Sequence, residues 1–99
     1  IYLDSVRYCG VLVETSPSTY NWVSFVYQAD IDCIPPPECT EGILEWVAFD
    51  EVLSLPTPKT DWYMYQYILS NRPFAFSATY DADLNLLTMT DEWTGGQLV

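Results

Sequence analysis

Histidine is missing from all ninety-nine residues, so no Ser-His-Asp or Cys-His nucleophile can be assembled from them and no imidazole can ligate a metal. Cationic side chains are almost as scarce. Arg7, Lys59 and Arg72 face fourteen carboxylates, a formal net charge of -11. Docking on a nucleic-acid backbone needs clustered Lys and Arg to displace counterions, so that class of partner is excluded. The same imbalance repels nucleotide phosphates, and any nucleotide bound here needs a divalent cation, Mg²⁺ or Mn²⁺, between phosphate and carboxylate. The plainer reading is that the acidity keeps the surface solvated. Three cysteines, Cys9, Cys33 and Cys39, make an odd count without a Cys-x-x-Cys pair, which fits reduced thiols in a cytoplasmic protein. No membrane-length apolar run, internal repeat or signal-peptide pattern occurs, which leaves no membrane partner. The chain opens on Ile1, not Met, and a start inside a longer protein is the simplest expectation.

What is abundant is apolar and aromatic surface. Hydrophobic residues make up 49% of the chain, with four Trp, eight Tyr and four Phe, far from the composition of disordered chains. Ninety-nine residues amount to one domain, 1–99, or part of one, and bury roughly 60 to 65% of the unfolded surface if compact.

Along the chain, Ser5 to Glu14 reads as a strand, with Gly10 a bulge or a point of close approach. Thr15 to Thr19 is a turn by composition. Tyr20 to Ile31 carries apolar residues in both phases, which predicts a central strand covered on both faces and paired with the first as an antiparallel hairpin. The triple proline Pro35-Pro36-Pro37 forces an extended loop that delivers Glu38 and Glu41 ahead of a strand at Leu44 to Phe49, read as part of the core. Asp50 is read as the N-cap of a short helix over Glu51 to Leu53. Thr60 or Asp61 then caps a helix running to about Ser70, with Trp62, Tyr65 and Leu69 on one stripe and Met64, Tyr67 and Ile68 on its neighbour. Phe74 to Tyr80 and Leu84 to Thr90 form a hairpin about Asp81-Ala82-Asp83, and the tail from Thr94 reads as frayed.

One stretch organises the rest. Glu45-Trp46-Val47 followed by Asp50-Glu51-Val52, then Leu55-Pro56, a helix opened at Asp61, and Arg72-Pro73-Phe74 leading into a hairpin form an ordered series. Over Thr40 to about Trp93 this resembles the C-terminal half of Nudix hydrolases of the MutT-like kind. The family's signature, the acidic Nudix box, is absent: no Glu-Glu pair occurs anywhere. The resemblance implies an α+β fold, a Nudix-like α/β/α sandwich in which helices pack on a mixed sheet, present as a partial domain.

The same resemblance implies a pyrophosphatase: Mg²⁺- or Mn²⁺-dependent cleavage of a nucleoside diphosphate linked to another group, most naturally a nucleoside triphosphate or an oxidised purine nucleotide. The metal-holding glutamates of the box are not among these residues, and no metal ligand is certain within them. Glu38 and Glu41 fall where relatives place an extra carboxylate that assists the metal or takes the water's proton; a solvated acidic loop is the alternative. Asp61 matches an Asp that hydrogen-bonds the base edge in relatives, and a helix N-cap is the alternative. Relatives carry an aromatic stacking residue just before that Asp, where this chain has Pro58 or Lys59; Trp22 and Trp62 are candidate substitutes, with core packing as the competing role. A partial sheet leaves an apolar face and open edges, so a homo-oligomer or strand-swapped association is expected to cover them. The competing class is a non-catalytic acidic α+β binding or interaction module on the same scaffold.

Overall fold

The computed structural model describes residues 1–99 throughout. The first strand, β1 (Arg7–Thr15), is an inner one, and its Val, Leu and Tyr content suits a pleated, buried position. It turns at Thr15 to Asn21 into β2 (Trp22–Gln28), and the two pair antiparallel, as expected. The chain then crosses over through a long loop, a 3₁₀ turn (Phe49–Ser54) and helix α1 (Lys59–Leu69). It returns as β3 (Phe74–Tyr80), which lies parallel to β1 on its other side. β4 (Leu86–Asp91) and the short β5 (Gly96–Gln97) add antiparallel, giving a mixed five-stranded sheet in the order β2-β1-β3-β4-β5.

The core lies on one face of this sheet, beneath α1. Cys9, Leu12, Phe74, Phe76, Ala78 and Met89 point inward, and Tyr67 descends from the helix onto them. The Tyr67 ring meets Phe76 edge-on at 4.8 Å, and Phe74 and Phe76 stack at 4.7 Å, arrangements aromatic pairs favour. Of the two stripes on α1, the one with Met64, Tyr67 and Ile68 packs here, joined by Tyr63. Gly10 is held to glycine by the closeness of β3: a Cβ there would meet the Phe74 carbonyl oxygen and lie 2.6 Å from its ring carbons. Both readings of Gly10 apply, because the β1–β2 register also shifts between Tyr8 and Gly10.

Several expectations are corrected. Leu44 to Phe49 forms no strand; the only pairing nearby is a single bridge between Cys39 and Gly42, and Ile43 is 94% exposed. Both edges of β1 are already taken by β2 and β3, and the preceding prolines cannot donate to a ladder, so the segment finds no inner place in the sheet. β2 is the edge strand, not a central one, and Phe25 on its outer face is 65% exposed. Neither helix is capped where expected, at Asp50 and at Thr60 or Asp61: Ala48 precedes the 3₁₀ turn and Pro58 precedes α1, both without a side-chain cap bond. Leu84 belongs to the hairpin loop, with φ +61°, and β4 starts at Leu86. The tail is not frayed, for Leu98 and Val99 pack at the core and their amides bond to the Met89 carbonyl at 2.8 and 3.1 Å.

The opposite sheet face carries no helix. Tyr8, Val23, Phe25 and Tyr27 lie there largely exposed. Only eleven of the ninety-nine residues are buried.

Candidate functional site: a carboxylate–phenol cleft at the strand ends

In sheets with parallel strands, crevices beyond the carboxyl ends are where ligands usually bind. Here β1 ends at Glu14 and Thr15, its parallel neighbour β3 ends at Tyr80, and the first turn of α1 arrives over both. Together they enclose a cleft of about 320 Å³ lined by Glu14, Tyr20, Pro58, Thr60, Asp61, Tyr80 and Leu84.

Each residue is set there by local structure. Glu14 is in phase with Gly10 and Leu12 on the core-facing side of β1, and is 8% exposed. Tyr80 is in phase with Phe74, Phe76 and Ala78, and a register shift between Thr79 and Tyr80 re-aims it at the end of β3. Tyr20 is presented by a short turn that Asn21 ties together: its Oδ1 accepts from the Ser16 amide at 3.0 Å and its Nδ2 donates to the Ser18 carbonyl at 2.9 Å. Leu84 hangs over the opening from the hairpin, where the Asp81 carboxylate accepts the amides of Asp83 and Asn85, both at 2.9 Å.

The Tyr80 hydroxyl donates to Glu14 Oε2 at 2.6 Å and the Tyr20 hydroxyl to the same oxygen at 3.3 Å. The two phenol rings meet edge to face at 5.5 Å. Burial, followed by the bond to Glu14, holds the Tyr80 phenol far above its ordinary range, with the Thr60 hydroxyl pulling more weakly the other way. Burial and then the Glu14 charge also raise Tyr20. Asp61 is raised as well, first by burial and second by Glu14. No Lys or Arg lines the cleft. The arrangement is rich in hydrogen-bond acceptors and lacks a counter-charge.

Of the residues singled out from sequence, Asp61 lies in this cleft and the others do not line it. Trp22 is more than half exposed, its ring edge-on to Tyr20 at 6.3 Å. Trp62 donates its indole N–H to the Leu53 carbonyl at 2.9 Å and joins α1 to the 3₁₀ turn. Glu38 lines a separate open depression with Pro36, Pro37 and Cys39, and Glu41 is exposed in the same loop. A cavity of about 430 Å³ between β2, the 3₁₀ turn and α1 is almost wholly apolar, and its Gln28 already accepts from Arg7 at 2.6 Å. Glu14, Tyr20, Thr60, Tyr80 and Leu84 were not singled out. The signal for Glu14 was available: an acid in phase with the buried side of a strand is costly unless partnered.

No three His, Cys, Asp or Glu side chains gather to hold a metal ion. Glu14 and Asp61 share a cleft, but one Glu14 oxygen is committed to two phenols, so this donor set does not by itself fit a divalent cation.

No protein-family model matches the sequence. Among solved structures, the chain is similar to the crystal structure of the mutator MutT protein from Bacillus halodurans, with a TM-score of 0.74 and 25% sequence identity over 88% of this chain. The match covers 61% of that protein, so the chain spans about three-fifths of its length. The fold is thereby a Nudix-like α+β fold, a mixed five-stranded sheet with few helices. No helix is long and apolar enough to cross a membrane.

Proposed function

We propose that this chain forms the nucleotide-binding portion of a Nudix-type hydrolase of the cytoplasm. The reaction is Mg²⁺- or Mn²⁺-dependent cleavage of a nucleoside diphosphate linked to another group, with a nucleoside triphosphate or an oxidised purine nucleotide as the leading substrate class. The observation that carries this reading is the likeness to the MutT structure over most of the chain, joined to a cleft at the strand ends that contains Asp61. The metal is held mainly by carboxylates outside these ninety-nine residues, since the cleft does not fit it alone. Asp61 hydrogen-bonds the substrate's base. Glu38 and Glu41 assist from the acidic loop, and Trp22 and Trp62 flank the base-binding end. The apolar sheet face around Phe25 and Tyr27 is covered in the working protein, by further chain or by a second copy associating through the sheet.

The test is hydrolysis by the complete protein with Mg²⁺ across nucleoside triphosphates, dinucleotides and sugar nucleotides. Turnover of at least one class is expected, and no turnover of any would favour the non-catalytic binding module. Asp61→Asn should mainly change preference among bases, and Glu41→Gln mainly lower turnover. Equal, small effects of both would remove them from the site.

A further inference from the structure

Leu44 to Phe49 takes no place in the sheet, and its apolar side chains are left outside the core. Leu44 and Trp46 are 49% and 48% exposed. They are not scattered over the surface. With Ile31 and Ile34, from the loop after β2, they wall an open cavity of about 410 Å³, inside the roughly 300–1,000 Å³ range of small-molecule sites. It shares no residue with the cleft at the strand ends.

The two arms of this wall are fastened together. The Trp46 indole N–H donates to the Ile34 carbonyl at 2.6 Å, and the Ile34 amide donates to the Asp32 carbonyl at 3.0 Å. The Tyr2 hydroxyl donates to Asp32 Oδ1. Pro36 and Pro37 complete the wall, and the triple proline fixes its own φ angles while holding each preceding residue extended. A wall set in this way gives up little freedom when a ligand enters.

Charge decides which ligand that is. The acids of the wall are Asp32 and Glu45, and no Lys or Arg joins them. Between Arg7 and Lys59 the chain carries eight carboxylates and no cation, so this region supplies no counter-charge of its own. Trp46 stands beside the two acids, and indole is the side chain that attracts a cation best over its face. An anion is repelled here, and a neutral apolar molecule uses only the aliphatic part of the wall. A ligand that joins a positive charge to an apolar body uses all three features.

We propose that this cavity binds a small organic cation with an apolar body, a hydrophobic ammonium, its charge held by Asp32 and Glu45 against the Trp46 ring and its apolar part on Ile31, Ile34 and Leu44. The proposal does not depend on the nucleotide reading, and loss of all hydrolysis would leave it standing.

Binding to the complete protein tests it, with the Trp46 indole N–H resonance followed by NMR through four titrations. Hexyltrimethylammonium should bind roughly tenfold more tightly than hexan-1-ol, which lacks the charge, and roughly tenfold more tightly than tetramethylammonium, which lacks the chain. Hexanesulfonate should not bind. Raising the salt tenfold should weaken the hexyl cation several-fold. Glu45→Gln should weaken it by about threefold or more, and Glu92→Gln, which removes the same charge from an exposed residue outside the cavity, should leave it unchanged. The ligand series needs no variant, so it decides the matter even if Glu45→Gln misfolds. Hexan-1-ol or hexanesulfonate binding as tightly as the hexyl cation, or equal effects of Glu45→Gln and Glu92→Gln, overturns the proposal. So does a dimer in sedimentation that binds none of the four, which would assign the cavity to a contact between copies.

Discussion

Tyr80→Phe deletes one hydroxyl and nothing else, so its cost reports on the bond to Glu14. At 2.6 Å the bond is short, its acceptor is a carboxylate, and that carboxylate is almost fully buried. Hydrogen bonds to charged groups contribute about 1.5–3 kcal/mol net, and partial exposure of Tyr80 puts the expectation near the middle, about 2 kcal/mol. The 3.3 Å bond from Tyr20 is too long to replace it. In a Glu14→Gln background the acceptor is neutral, and the same deletion should cost only about 1 kcal/mol. Urea unfolding of the wild type, both single variants and the double variant at pH 7 closes the cycle. A cost that is negligible, or equal in the two backgrounds, would refute the claim that a charge-assisted bond organises the cleft. The pH dependence gives a second check. Because the folded-state pKa of Tyr80 is raised, the native protein keeps a proton that the unfolded chain releases near pH 10. The resulting stability is complete below that pH and is lost as pH climbs toward the folded value. Wild type should therefore lose more stability than Tyr80→Phe above pH 10.

Other substitutions address the remaining parts. Gly10→Ala forces β1 and β3 apart against the Phe74 backbone and should cost about 1–3 kcal/mol in chemical denaturation, whereas a neutral result would mean that the strands are further apart than described. Phe76→Ala empties the space under Tyr67 and should cost about 3–5 kcal/mol by the same measurement. For Asp61 the raised folded pKa means that stability is greatest with the carboxyl protonated and falls as pH rises from its ordinary value through the raised one. Asp61→Asn should therefore flatten that part of the urea-midpoint profile and stabilise the protein at neutral pH; an unchanged profile would place Asp61 in open solvent. Leu84→Gly relieves the left-handed strain and should raise stability by about 1 kcal/mol in urea unfolding, and a drop would make Leu84 a packing residue.

Local chemistry was legible wherever neighbours in sequence decide the outcome. The Val, Tyr and Leu content of Ser5 to Glu14 and the alternation in Phe74 to Tyr80 mark β1 and β3, and Asp81-Ala82-Asp83 marks the hairpin between β3 and β4, because strand preference, period-two burial and turn chemistry act over a few residues. The aromatic spacing after Thr60 likewise specifies a helix with a broad apolar side. Excess negative charge and the absence of histidine limited the available chemistry before any fold was known. What local pattern cannot carry is which strand lies beside which. Leu44 to Phe49 looks like a strand by composition and is not one, since the edges of β1 belong to β2 and β3. Trp22 to Gln28 looks doubly covered and lies at the sheet's edge. Glu14 and Tyr80 stand sixty-six positions apart and meet because β1 and β3 run parallel; their 2.6 Å bond and the cleft around them are products of that pairing, which depends on long-range packing.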